Sequence, residues 1–303
     1  YDALDEAVEM ARRANMGEEH WQDYALIAAI ECRLVDRADA LIHALGIQPG
    51  SPMAVWVIRH LIREGRIDQA VRRIDMELAT DQRTGIWPYA ETAWRMAGDA
   101  RHQWLCPPEL VSVTDLTTFL PPLADLADTL RRLHNATGAF LDQSVRGGTQ
   151  TDGPLFSRID PVLQHTRTAV VHAVEAYLRT LPAVDAAHPT LSPRRDRDIR
   201  FAGSWSVRLG SGGHHSNHVH PMGWISSALY VALPDAIDAA PGDEAGWLTI
   251  GMPPTDLIAL PPHQAIKPRP GQLVLFPSWL WHGTRPFSQG ERLTIAFDIA
   301  PRQ

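Results

Sequence analysis

His214-His215-Ser216-Asn217-His218-Val219-His220-Pro221 is the stretch on which the reading of this chain turns. It gathers four of the chain's 14 histidines into seven residues. Residues i and i+2 of a strand project to one face, so His218 and His220 are expected to point together into the interior of a sheet. His214 and His215 sit beside glycines and read as loop. A further histidine, His282, follows 62 positions after His220. Two imidazoles on one strand face, with a third from a distant strand, have the makings of a metal site. Neutral imidazole suits iron, zinc, copper and nickel. The structural alternative is a surface histidine cluster or a hydrogen-bonded core pair.

Working outward from this stretch, the pattern is that of short strands. Residues 201–209 alternate, and 225–233, 247–252, 272–276 and 292–299 are short β-type runs. Glycine and proline separate them at 210–213, 241–242, 253–254, 261–262, 268–271 and 290. Roughly eight short strands at such spacing indicate a jelly roll or small barrel. The closing run, Arg292-Leu-Thr-Ile-Ala-Phe-Asp-Ile299, has two unlike faces. Leu293, Ile295, Phe297 and Ile299 form the packing face. Arg292, Thr294, Ala296 and Asp298 form the other, which can line a pocket and offer a guanidinium to a carboxylate. An arginine paired to a surface acid is the plainer alternative.

Three segments carry a family resemblance: Ser216-Asn-His-Val-His220-Pro, Ile225-Ser-Ser-Ala-Leu-Tyr230-Val, and Gly271-Gln-Leu-Val-Leu-Phe-Pro-Ser-Trp-Leu-Trp-His282-Gly, with Arg292 ten residues beyond His282. They resemble the iron(II)/2-oxoglutarate-dependent oxygenases, and more narrowly those bacterial members with helical-repeat N-terminal regions. The resemblance covers about residues 195–303 well and the helical part more loosely. It implies a double-stranded β-helix, Fe(II) as metal, and 2-oxoglutarate and O2 as co-substrates. It also implies His282 with His218 or His220 as iron ligands, and Arg292 on the distal carboxylate of 2-oxoglutarate. The common pattern in such enzymes is His-x-Asp/Glu followed by a distant histidine. Here the strand reads His-x-His, with no acid at 216, 220 or 222. Three completions stand open: an all-histidine set of His218, His220 and His282, which is favoured; two histidines with water; or a carboxylate from elsewhere, such as Asp298. No catalytic residue is expected beyond the metal site. Ser226, Tyr230 and Thr294 are further candidates for the co-substrate, and Arg146, Gln150, Trp205 and Arg208 for the substrate. Trp279 and Trp281 are expected at the pocket mouth.

The rest of the chain reads as helix. Runs over 3–14, 21–33, 37–45, 53–64, 67–78 and 87–96 have apolar periodicity, with Gly46, Gly65 and Gly98 as punctuation. The 33-residue spacing of Gly65 and Gly98 suggests tetratricopeptide-like hairpins, against a generic helical bundle. Pro107-Pro108 and Pro121-Pro122 open a bridge containing two further helical runs, 123–135 and 159–181. Between them lies a polar, glycine-bearing loop over 143–151. The expected fold is therefore α+β and multidomain. A helical-repeat domain spans 1–106, a helical bridge 107–194, and a double-stranded β-helix (jelly roll, cupin-like) domain 195–303. Helical solenoids present surfaces that hold extended peptides, so the expected reaction is hydroxylation of a peptide or protein side chain. A three-histidine dioxygenase without 2-oxoglutarate and a non-enzymatic binding scaffold are the alternatives.

Composition narrows the partners. A net charge of −7 disfavours a general nucleic-acid surface. The basic stretch of Arg194, Arg195, Arg197 and Arg200 is interleaved with Asp196 and Asp198 and reads as a solvated loop. Cys32 and Cys106 form neither a disulfide framework nor a Cys-x-x-Cys pair. No apolar run approaches the ~20 residues needed to span a bilayer. No membrane partner and a cytoplasmic location are the expectation. The start, Tyr1-Asp2-Ala3, shows no leader pattern, and the missing initiator Met leaves room for a segment upstream.

Overall fold

The computed structural model describes residues 18–81, 83–135, 144–238 and 242–301. The helix expected over 3–14 lies outside them. The chain divides into two compact units, residues 1–102 with Asp256–Ile258, and residues 103–255 with 259–303.

The first unit is helical: α1 Glu18–Glu31, α2 Val35–Leu45, α3 Ala54–Arg63, α4 Ile67–Leu78 and α5 Trp87–Ala97. Its ends follow local chemistry. Gly46 and Gly98 terminate α2 and α5 in the left-handed conformation, at φ 53° and 65°, where a Cβ is disfavoured. The helices pack as antiparallel neighbours, α1 on α2, α3 on α4 and α4 on α5. Leu26, Ala29, Ile30 and Ala38 bury their side chains between the first pair. Arg59 and Arg63 of α3 both reach Glu31 of α1. Two hydrogen bonds from Arg66, of 2.8 and 2.6 Å, hold Asp39. These contacts tie the helices together; they do not by themselves make the unit a tetratricopeptide array.

The second unit is one antiparallel sheet of nine strands with helices against it. Its strands are β1 Ser112–Asp115, β2 Val145–Gln150, β3 Phe201–His218, β4 Ile225–Ala232, β5 Leu248–Ile250, β6 Gln264–Ile266, β7 Gln272–Pro277, β8 His282–Thr284 and β9 Arg292–Ile299. The order is β1-β7-β4-β9-β3-β8-β5-β6, with β2 on β3. The helices are α6 Leu123–Leu133 and α7 Pro161–Thr180. Helix α7 begins where Asp160 accepts a 2.9 Å bond from Val162 N and Pro161 takes the first helical position.

The segment 107–194, expected as a bridge, shares its core with the strands. Leu126 and Leu130 of α6 and Val170 and Val174 of α7 pack with Leu229, Leu275, Ile295 and Phe297 of the sheet. The stretch expected as a polar loop over 143–151 is strand β2. It pairs with β3 in the register Val145↔His215 to Gln150↔Val207. Strand β3 is itself twice as long as its alternation suggests and carries His214 and His215 within it. The glycines that read as a loop serve instead for close approach. A Cβ at Gly148 would stand 2.5 Å from the Arg208 carbonyl oxygen, and one at Gly213 2.7 Å from that of Gly210. Among the described residues, no helix is long and apolar enough to cross a membrane.

Candidate metal centre

Two strand termini and a turn bring the histidines together. His218 ends β3 and is paired directly with His282, the first residue of β8. His220 lies two residues past β3, in a turn whose backbone is pinned to the strands on either side. His220 N donates to the Ser278 carbonyl at 2.8 Å, and Trp224 N to that of Ile299 at 2.7 Å. The ring centroids of His218 and His282 are 4.3 Å apart, those of His218 and His220 5.0 Å, and those of His220 and His282 5.1 Å. One ring nitrogen from each lies within 4.8 Å of the others.

The hydrogen bonds fix which nitrogen that is. His218 Nδ1 donates to the Ser216 carbonyl at 2.8 Å, and His282 Nδ1 to the Leu280 carbonyl at 2.9 Å. His220 Nδ1 donates to the Asp298 carboxylate, 2.8 and 2.7 Å from its two oxygens. Each acceptor has no proton to give, so each Nδ1 carries the hydrogen and each Nε2 keeps its lone pair. Burial pushes His218 down to about 4 and His282 well below the usual histidine range, with the neighbouring imidazoles adding to the effect. At neutral pH both are the unprotonated ligands a metal requires. This donor set fits a divalent transition metal. Ser144 Oγ meets His218 Nε2 at 3.2 Å and His215 Nδ1 at 3.1 Å.

The histidines line a cavity of about 610 Å³. Its far wall is the polar face of β9: Arg292, Thr294, Ala296 and Asp298. The opposite face, from Leu293 to Ile299, is wholly buried in the core. Arg292 is 2% exposed, and its guanidinium sits 5.1 Å from the Tyr230 ring centroid. Its Nε has no hydrogen-bond partner, and no carboxylate pairs with it among the described residues. Burial pulls its pKa down and raises that of Tyr230, and the interaction between the two groups opposes both shifts. A buried guanidinium without a counter-ion is costly to fold and is offset by an anion in the cavity. The pocket therefore suits a ligand with a carboxylate at one end and metal-binding atoms at the other.

The remaining sequence candidates divide. Arg146, Gln150, Trp205 and Thr294 line the cavity. Arg208 does not: with Arg131 it pairs with Glu291 on the outer side of the sheet. Ser226 does not line the cavity: it lies opposite Asp298 in the β4–β9 register and donates to Asp298 Oδ1 at 2.6 Å. Tyr230 is fully buried behind Arg292. Trp279 and Trp281 are not at the mouth. Both are buried, and Trp279 Nε1 donates to Thr190 Oγ1. Asp298, weighed from sequence as a metal ligand, accepts from His220 Nδ1. His215, read as loop, lines the cavity and stacks on His218 at 5.9 Å. Ser144 and Phe276 also line it; both lie in stretches the sequence marked, the polar segment 143–151 and the segment leading to His282, though neither stood out as a site residue.

Known proteins bear on the same region. The family described as "Putative 2OG-Fe(II) oxygenase" matches residues 203–298, the stretch that carries the three histidines, Arg292 and Asp298. No curated protein matches the chain. Among solved structures, a Pseudomonas putida prolyl-4-hydroxylase matches at 16% identity and a TM-score of 0.42, over 65% of this chain and 96% of that one. A viral collagen prolyl hydroxylase of Paramecium Bursaria Chlorella virus-1, in complex with 2-oxoglutarate, matches at 14% and 0.42, over 65% and 99%. HygX of Streptomyces hygroscopicus, with nickel, 2-oxoglutarate and hygromycin B bound, matches at 14% and 0.43, over 67% and 87%.

Proposed function

We propose that the protein is an Fe(II)- and 2-oxoglutarate-dependent dioxygenase, and so an oxidoreductase, hydroxylating a peptide or protein side chain, with His218, His220 and His282 as its iron ligands; the family match over residues 203–298 supports this reading. The observation that carries this reading is the pairing, in one cavity, of three convergent imidazoles and a buried guanidinium without an acid. When bound, Fe(II) with 2-oxoglutarate and O2 supplies the oxidising chemistry, in which the co-substrate loses CO2 and becomes succinate.

The chain's own residues do the rest. Arg292 holds the distal carboxylate in a two-pronged grip, and the Tyr230 ring beneath it keeps the guanidinium plane in place. Thr294, beside it on the same face of β9, offers a hydroxyl to the same carboxylate. Phe276, Leu248 and Val207 form apolar wall and exclude water, which strengthens each charged contact. Trp205, whose ring lies 5.7 Å from that of His220, with Arg146 and Gln150, receives the substrate. The sheet takes the role of a double-stranded β-helix in this scheme. The helices of the first unit serve as tetratricopeptide-like hairpins that hold an extended peptide, in the cytoplasm.

The test is an anaerobic visible spectrum of metal-free protein during addition of Fe(II) and then 2-oxoglutarate. A charge-transfer band that requires both, and is lost in His282→Ala, supports the reading. Iron binding without a band points to a dioxygenase whose substrate chelates the metal directly. No iron binding leaves a scaffold.

A further inference from the structure

Among the three imidazoles one is held differently. His218 and His282 rest their Nδ1 protons on neutral backbone carbonyls, whereas His220 rests its proton on a carboxylate. We propose that Asp298 supplies, through His220, the negative charge that a carboxylate ligand would otherwise bring to the metal. The inference rests on the proposed ligand set.

The geometry is built for this contact. Asp298 lies 78 residues from His220, and the β4–β9 register sets it opposite Ser226. Ser226 Oγ donates to Asp298 Oδ1 at 2.6 Å and lies 2.9 Å from Ser278 Oγ. The Ser278 carbonyl in turn takes the His220 backbone N–H at 2.8 Å. The turn is packed without slack. A Cβ at Gly223 would stand 2.5 Å from Ser278 Oγ and 3.3 Å from Asp298 Cβ. Asp298 is 9% exposed, with both oxygens facing donors.

Charge counting gives the contact its meaning. Two histidines and a carboxylate leave a divalent metal with a net charge of about +1, and three neutral histidines leave about +2. A carboxylate on the distal nitrogen of one histidine brings the assembly back to about +1 and makes that imidazole the stronger electron donor. Asp298 is thus a positioning residue that acts through His220 and touches neither iron nor substrate.

The experiment measures anaerobic Fe(II) affinity, and the reduction potential of the bound iron, in the full chain and in Asp298→Asn, Asp298→Ala and His282→Ala. Asparagine keeps an oxygen for the Nδ1 proton and removes only the charge. Asp298→Asn should bind Fe(II) about 10- to 100-fold more weakly and raise the potential, with Asp298→Ala affected at least as much. The Nδ1 proton of His220, followed by NMR in metal-free protein, should stay hydrogen-bonded in Asp298→Asn and be lost in Asp298→Ala. That spectrum also reports whether the turn has kept its fold. Wild-type affinity and potential in Asp298→Asn would overturn the inference and leave the ligand set standing. A loss in Asp298→Asn as complete as in His282→Ala would make Asp298 a ligand itself, which also overturns it. Iron affinity unchanged in His282→Ala would sink the ligand set and the inference together.

Discussion

His134 and His218 share one unit, and burial lowers both to about 4, yet they do opposite work. His134 spends both nitrogens on the fold: Nδ1 meets Thr149 Oγ1 at 2.8 Å and Nε2 meets Ser206 Oγ at 3.1 Å. His188, fully buried, does the same. Its Nε2 donates to the Leu105 carbonyl, and its Nδ1 accepts from the backbone of Thr190 and Leu191. The cavity histidines commit Nδ1 to an acceptor and bring one ring nitrogen each to a common point, although His218 Nε2 also meets Ser144 Oγ at 3.2 Å. Neither burial nor a depressed pKa separates a structural histidine from a ligand. Convergence does: the cavity histidines each bring a ring nitrogen within 4.8 Å of the others, and among the described residues His134 and His188 belong to no such group. The arginines repeat the lesson. Arg131 and Arg208 share Glu291 on the outer wall, while the next residue along, Arg292, faces the cavity without an acid.

The comparison breaks most readily by exchange of roles. His282→Ala should weaken Fe(II) binding by more than about 100-fold and leave the unfolding midpoint of metal-free protein nearly unchanged. His134→Ala should leave iron affinity intact and lower stability by about 1–3 kcal/mol, because two hydroxyls lose their partner. Iron titration and urea melts read both. If the two variants behave alike, the distinction by convergence fails.

Arg292→Met comes next. The dissociation constant of 2-oxoglutarate should rise by at least about 30-fold, the equivalent of the ~2 kcal/mol lower bound for breaking a buried charged pair. Metal-free protein should be no less stable, because an uncompensated buried charge has gone. A drop in its melting temperature would mean that Arg292 already has a partner in the fold.

The acid limb is smaller and shared. His134 and His218 titrate at about 4 in the folded chain, against 6.5 for the ordinary group. As pH falls from about 6.5 to about 4 the unfolded chain takes up protons that the folded chain refuses, so stability falls through that window. Urea midpoints between pH 7 and 4 should decline, less steeply in His134→Gln and in His218→Gln. An unchanged slope in both would remove burial as the cause. Arg208→Ala is the mildest. It should cost at most about 1 kcal/mol and leave substrate KM unchanged, since Arg208 serves the outer wall.

The two-faced pattern of β9 was legible because alternation is local, and the structure sets its apolar residues in the core and its polar ones on the cavity. His-x-His announced a cluster for the same reason. The work of Asp298 was not legible, because it depends on β4–β9 register and on a turn that returns His220 past the end of β3. Ser226 looked like a pocket residue from alternation alone, yet its hydroxyl supports Asp298. Glycine misled at 147–148 and 210–213. It reads as a breaker, and here it lets two backbones run close enough to pair. Tryptophans 279 and 281 sit next to His282 in sequence, but the neighbouring histidine says nothing about which side of β8 they occupy.

The coverage of the sheet by α6, α7, β1 and β2 bears on how the protein is to be handled and how its lineage is to be traced. The family match at 203–298 carries the three histidines and Arg292, but that stretch shares one hydrophobic core with residues that precede it. Cut at residue 195, the sheet would lose two strands and bare Leu229, Leu275, Ile295 and Phe297 to water, a sticky surface that promotes aggregation. A soluble fragment has to begin near residue 103, where the second compact unit starts. Insertions or swaps that respect the motif and ignore the preceding ninety residues would sever the histidine-bearing sheet from its own hydrophobic backing.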